Sequence, residues 1–174
     1  MKKVKPELIN TKRLILKSIT ISDQNEVVSI LINNEVKKTY MIPDFSNIEE
    51  AIKLFNRIKE ISENKIRFTY GIYLNNKLIG FINDVEIKDN EVELGFVIDP
   101  IFHNQGFATE VLTQSINELF KLGYKKVITG AFEENLPSQR VMEKSGMRKL
   151  NQTEEIEYRG KVHKCIMYER EYDI

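Results

Sequence analysis

The residues whose types and spacing could do chemistry meet at His103-Asn104-Gln105-Gly106-Phe107-Ala108. A helix beginning near Ala108 would open with N–H groups that have no partner within the helix, and its dipole would add partial positive charge there. Gly106 and Ala108 are small enough to let an anion approach the backbone closely. Such a turn is a phosphate cradle. An ordinary helix start, whose glycine only eases the turn, is the other reading of the same residues.

Two elements must position this junction. Glu91 to Ile98 is rich in β-branched and aromatic residues and reads as a half-buried strand. Asp99-Pro100 stops it, because proline donates no ladder hydrogen bond and restricts the residue before it. From Ala108 the small or apolar positions Val111, Leu112, Ser115, Ile116 and Leu119 form a helical stripe. Gly123 stands where a C-terminal cap belongs. Lys125 to Ala131 is a short strand after that helix, so the trio forms a βαβ crossover with its strands parallel.

The flanking chain completes a mixed α/β pattern. Thr11 to Ser18 alternates as a strand near a sheet edge. Ser22 can cap a helix running through Asn33, with Val27, Val28, Leu31 and Ile32 buried. A second helix is expected over Ile48–Glu63, after an apolar loop containing Tyr40, Met41, Ile42 and Phe45. Arg67–Leu74 and Lys77–Ile87 read as strands joined tightly by Asn75-Asn76, since Asn tolerates positive φ. Asp89-Asn90 makes the next turn, and Gly80 with Asn83 marks a bulge. A last helix follows Asn135 and ends near Gly146. A hairpin then runs Arg148–Tyr158, turns at Arg159-Gly160, and returns over Lys161–Tyr172.

Bulk properties narrow the classes. The 174 residues suit one domain spanning 1–174, with a substantial core. Twenty-six basic residues balance 26 acidic ones, and no basic patch interleaves with aromatics, so nucleic acid has little support. The single cysteine, Cys165, excludes an internal disulfide, and no ligand cluster points to a metal. No apolar run suits a signal peptide or a bilayer span, which gives a cytoplasmic protein with no membrane partner as the expectation. A P-loop is not matched, because no Gly-Lys-Ser/Thr follows Gly106, and no GxGxxG is present.

Two stretches resemble the GNAT N-acetyltransferases, and within them the RimJ/RimL branch that acetylates ribosomal proteins. The first is His103–Glu110, similar to the family's Gln/Arg-x-x-Gly-x-Gly/Ala motif after a strand ending in proline; His103 stands where the family has Gln or Arg. The second is Asn135 to Gly146, Asn-x-x-Ser-x-Arg-Val-x-Glu-Lys-x-Gly. Thr11-x-Arg-Leu-x-Leu followed by Asp23 also resembles the branch's opening, and Tyr158-Arg159-Gly160-Lys161-x-His163 its end, with Lys164 where the group often has Asp.

The resemblance implies a GNAT fold: a central, mostly antiparallel sheet with one parallel crossover and about four helices. It implies acetyl-CoA as cosubstrate and a primary amine as acceptor, either a protein N-terminus or a small molecule. Dimerisation through exposed strands is common in that family. His103, Asn104, Gln105, Gly106, Phe107, Ala108 and Thr109 would hold the pyrophosphate. Phe96, Val97 and Ile98 would flank the acetyl group and offer a backbone N–H to its carbonyl. Asn135 would bond the pantetheine, and Ser138 would face the sulfur. As plain helix-start residues both types are equally at home there.

Glu93, on the strand flanking the acetyl group, is the favoured base, with Glu157 second. Many GNAT enzymes carry a tyrosine acid seven residues after the Asn; here that position is Met142, which donates no proton. Ser138 then serves the thiolate, or the thiolate leaves unassisted. His163 is expected as a surface strand residue and Cys165 as an inert one. A catalytically silent CoA-binding or regulatory module of the same fold is the alternative function.

Overall fold

In the computed structural model, which describes residues 3–173, a mixed sheet is threaded between helices. The strands are β1 (Leu8–Asn10), β2 (Ile15–Lys17), β3 (Tyr70–Leu74), β4 (Lys77–Lys88), β5 (Glu91–Ile98), β6 (Lys126–Phe132), β7 (Arg148–Tyr158) and β8 (Lys161–Glu171). The helices are α1 (Gln24–Leu31), α2 (Asn34–Thr39), α3 (Ile48–Glu63), α4 (Phe107–Lys121) and α5 (Leu136–Lys144). Strand order is β1-β2-β3-β4-β5-β6-β8-β7. The expected crossover is present: β5 pairs β6 in parallel, Glu91 opposite Lys126 through Leu94 opposite Thr129. The remaining pairings are antiparallel. The chain resolves into two compact units, Met1–Asn83 with Phe96–Phe107, and Asp84–Gly95 with Ala108–Ile174. Strands β4 and β5 each have one end in either unit.

In the first unit, α1 and α3 cover a core that includes Val27, Ile30, Leu31, Phe55, Tyr73 and Phe81. Helix α3 has its expected bounds, opened by Asn47, whose side chain accepts from the Glu50 N–H at 3.1 Å. The helix expected from Ser22 through Asn33 is α1, shorter at both ends, and α2 follows it as a second helix that was not expected. A 3-10 turn at Ile21–Asp23 precedes α1, and Asp23 Oδ2 accepts from the Thr20 N–H at 2.8 Å. Asn33 then caps the next helix, its Oδ1 accepting from Glu35 and Val36 N–H groups. A good cap competes with helix continuation, and that leaves Ile32 exposed rather than buried.

The strand expected over Thr11–Ser18 shortens to Ile15–Lys17, because Thr11 and Leu14 close a turn through their backbones and the Thr11 hydroxyl. Ahead of it lies β1, which alternation did not reveal in three residues. The apolar loop after α2 is largely core: Ile42 is buried, Phe45 packs against that cluster, and Met41 is exposed. Asn75 and Asn76 both take positive φ, 47° and 66°, in the tight β3–β4 link.

The bulge falls at Ile79, since Ile72 pairs Gly80 while Tyr73 pairs Leu78. Gly80 is required beside it: a Cβ there would stand 2.2 Å from the Val97 carbonyl oxygen. Asn83 has another task, accepting the Tyr40 hydroxyl at 2.8 Å.

In the second unit, Val92, Leu94, Val127, Thr129, Ala131, Ile166 and Tyr168 are buried sheet residues. Helix α4 buries Val111, Leu112, Ser115, Ile116 and Leu119, the stripe read from the sequence. Each fully buried aliphatic side chain contributes roughly 2 kcal/mol of transfer free energy. Gly123 takes φ 87° just past α4 and Gly146 φ 79° past α5, the left-handed cap conformation. The closing hairpin turns at Arg159 and Gly160, with φ 54° and 72°. Strand β8 lies between β6 and β7, with Phe132 opposite Cys165 and Ile156 opposite His163.

Candidate active site

The junction after β5 belongs to the first unit up to Phe107. Asp99 ends the strand and caps a 3-10 turn at Pro100–Phe102, its Oδ1 accepting from the Ile101 N–H at 3.1 Å. The Asp99 N–H donates to the Ile79 carbonyl at 2.8 Å, which ties the loop to the bulge. Asn104 and Gly106 both take positive φ, 60° and 80°. Residues 103–106 are exposed, and Phe107 turns inward to start α4. The backbone before α4 therefore twists twice through the left-handed region, leaving an exposed turn at a helix start.

His103 does not reach outward as a Gln or Arg at that position would. Its Nε2 lies 2.7 Å from the Ile98 carbonyl, so the ring donates there and pins the loop to the strand end. The cationic side chain at this turn is Arg13. Its Nη1 donates to the Gln105 carbonyl at 2.9 Å, and its guanidinium lies 4.4 Å over the Phe107 ring. A Cβ on Gly106 would stand 3.3 Å from Arg13 Nη2. Nothing in the local sequence signals this, because Arg13 precedes the loop by about ninety residues. Within the same unit, Val97 and Ile98 are buried and Phe96 is half-buried at the end of β5.

The turn from β6 to α5 lies in the second unit. Asn135 is buried, and its Oδ1 accepts from the Ser138 N–H at 3.3 Å while its Nδ2 donates to Ser138 Oγ at 3.0 Å. The structure thus pairs the two residues and gives Asn135 the role of N-cap. Gln139, which the sequence reading passed over, is buried and locks the turn by donating to the Phe132 and Glu133 carbonyls at 3.3 and 2.9 Å. Met142 is buried apolar surface. Ala108 and Thr109, in the first turn of α4, are half-buried.

One face of this unit's sheet collects the remaining candidates. Paired residues on neighbouring strands share a face and alternate residues along a strand return to it. Glu93 opposite Ile128, Phe132 opposite Cys165, and Ile156 opposite His163 therefore bring Glu93, Phe132, Cys165 and His163 to the same side. Glu93 is half-buried and holds its proton above the ordinary carboxylate range. Desolvation is the main cause, then the carboxylates of Glu154 and Glu86, with Lys88 opposing. Burial, with Glu154 and Glu93 adding, pushes the Cys165 thiol up to about 11, so a thiolate nucleophile is disfavoured. Glu157, the second base candidate, is exposed on β7.

His163 is not the surface strand residue expected from the sequence. Its side chain is only 11% exposed, its ring stacks on Phe132 at 4.2 Å and 17°, and its Nδ1 lies 2.6 Å from Glu134 Oε1. The Glu134 carboxyl is held below its usual range by its own backbone N–H first and the His163 hydrogen bond second. Among the described residues, no group of three His, Cys, Asp or Glu is disposed to hold a metal ion, and no helix is long and apolar enough to cross a membrane.

Known proteins are similar to this chain in sequence and fold. The acetyltransferase (GNAT) domain family model matches residues 13–148. The uncharacterized N-acetyltransferase YnaD of Bacillus subtilis is 31% identical over 143 residues, 81% of this chain and 82% of that protein. The acetyltransferase from Salmonella typhimurium that modifies the N-terminal serine of a 50S ribosomal subunit protein superposes with TM-score 0.82 at 17% identity, covering 96% of this chain and all (100%) of that one. The microcin self immunity acetyltransferase MccE, solved with acetyl-CoA and AMP, gives TM-score 0.82 at 16% identity over 98% of this chain and 99% of that one. At such identities the two structures establish the shared fold, and the family match covers both units. The chain is a member of the GNAT acetyltransferase family.

Proposed function

We propose that this protein is a single catalytic domain that transfers acetyl from acetyl-CoA to a primary amine by direct attack in the cytoplasm. The observation that carries this reading is the exposed turn before α4, with Asn104 and Gly106 at positive φ and the Arg13 guanidinium beside it. The residues fit the cosubstrate: backbone N–H groups of His103–Thr109 cradle the pyrophosphate without needing a particular side chain, and a Cβ at position 106 would crowd that space. The acetyl-CoA complex of MccE supports the same use of the fold.

Acetyl-CoA brings a thioester whose carbonyl must be polarised and whose sulfur must leave with an electron pair. Backbone N–H groups at Phe96 to Ile98 meet the carbonyl oxygen as negative charge develops. Asn135 binds the pantetheine amides and Ser138 supports the sulfur. Glu93 receives the proton of the acceptor ammonium through water, its raised proton affinity favouring that role. Holding amine and thioester together supplies much of the acceleration, so no covalent enzyme intermediate is required. The acceptor is a protein N-terminus or a small amine; the Salmonella neighbour favours the former.

The test is release of CoA thiol from acetyl-CoA across a panel of N-terminal peptides, polyamines and amino sugars. Turnover with any of these above the no-acceptor rate supports the reading. Acetyl-CoA binding with no turnover on the whole panel would leave a silent CoA-binding module.

A further inference from the structure

We propose that His163, held by Glu134, is the general acid that protonates the departing CoA sulfur. This assignment rests on the acetyl-transfer reading above. It answers a gap in the chemistry: the helix position of the family's tyrosine acid is the buried Met142, and a serine hydroxyl such as that of Ser138 is a weak acid.

The geometry is that of an oriented imidazole. An ionised carboxylate only accepts hydrogen bonds, so Glu134 at 2.6 Å fixes the proton on His163 Nδ1. The stack on Phe132 fixes the ring plane, and Tyr158 closes a second side at 6.1 Å between centroids. His163 Nε2 makes no hydrogen bond within the described residues, which leaves it as the working nitrogen. Glu134 and Phe132 are the same turn that carries Asn135 and Ser138, and Gln139 makes that turn rigid. The dyad therefore flanks the position assigned to the sulfur and shares a sheet face with Glu93. Strand β8 lies beyond residue 148, outside the stretch matched by the family model.

Atoms and protons balance as follows. The acceptor ammonium gives one proton to Glu93 through water and its nitrogen forms the N–C bond. The C–S bond breaks, and sulfur takes the electron pair and the Nε2 proton of imidazolium. The second proton leaving nitrogen returns His163 to imidazolium, and one proton passes to solvent overall. An imidazolium is a competent proton donor to an alkyl thiolate.

Glu134 on the turn and Tyr158 on β7 contact the ring, and Glu93 on β5, Glu154 on β7, and Lys161 and Cys165 on β8 share its sheet face. Lys164, on the other face of β8, pairs with Glu133 at 3.4 Å.

Two histidines in the chain make the test direct. Side-chain 15N NMR, with His163→Gln to assign the signals, should show neutral His163 protonated on Nδ1. Saturating CoA should shift its Nε2 signal, while adenosine 3′,5′-bisphosphate, which lacks the thiol arm, should not. In turnover, His163→Gln should lower kcat about 10–100-fold with KM for acetyl-CoA within about twofold, and should flatten the alkaline limb of the kcat profile. Glu134→Gln, which removes the acceptor that orients the ring, should also lower kcat, by less than His163→Gln does, with KM for acetyl-CoA within about twofold. A neutral ring protonated on Nε2, or a His163 signal unmoved while calorimetry shows CoA bound, would overturn the assignment. Failure of CoA to bind at all would instead reject the acetyl-transfer reading beneath it, and the Nδ1 signal would still report the dyad.

Discussion

At the scale of single residues, burial sets the chemistry more than proximity in sequence. Glu93 holds its proton more tightly in the folded protein than at its ordinary value of 4.5, so its contribution to stability is present below that value and lost as pH rises through the raised one. Glu93→Gln should therefore raise the melting temperature near pH 7, by about 1–3 °C, and leave it unchanged near pH 4; thermal melts at the two pH values measure this. Turnover should fall in the same variant. Cys165, with its thiol pushed up to about 11, should react with a disulfide reagent at pH 8 at least about tenfold more slowly in the native protein than after denaturation. Arg13 holds the turn before α4 through the Gln105 carbonyl, so on the proposed function Arg13→Gln should weaken acetyl-CoA binding about 3–10-fold at low salt, with the difference shrinking as ionic strength rises. A calorimetric salt series decides it.

At the scale of elements, what was legible depended on length and turn chemistry. Helix α3, strand β5, the β5–α4–β6 crossover and both hairpins stand where periodicity and Asn, Gly and Pro placed them. Short pieces were not legible: β1 and α2 carry too few residues for a period to show, and Asn33 reads as easily inside one helix as capping the next. The exposed turn before α4 was legible because its signal is local backbone chemistry. Arg13 and the His163–Glu134 pair were not, because each acts on a segment brought near only by the fold, and Gln139 carries no signal of the turn it closes on itself.

Gly80 shows the same coupling. Gly80→Ala would drive a methyl group against the Val97 carbonyl and push β4 from the end of β5. Chemical denaturation should show a loss of about 2–4 kcal/mol, and a cost under about 0.5 kcal/mol would mean the strands separate freely.

At the scale of the whole molecule, zero formal net charge gives no long-range pull towards an anionic cosubstrate. On the proposed function, affinity for acetyl-CoA comes from the local turn at residues 103–109 and the side chains around it. The matched family stretch, residues 13–148, includes both Arg13 and that turn. The measurement that tests this most directly is calorimetry with acetyl-CoA on the natural protein and on Gly106→Glu, with ATP as a control ligand. Micromolar binding by the natural protein, no comparable ATP response, and loss of at least about 100-fold in affinity in a still-folded variant is the expected result. Equal affinity in the two proteins, or no binding by either, would contradict the phosphate cradle and the acetyl-CoA-dependent function built on it.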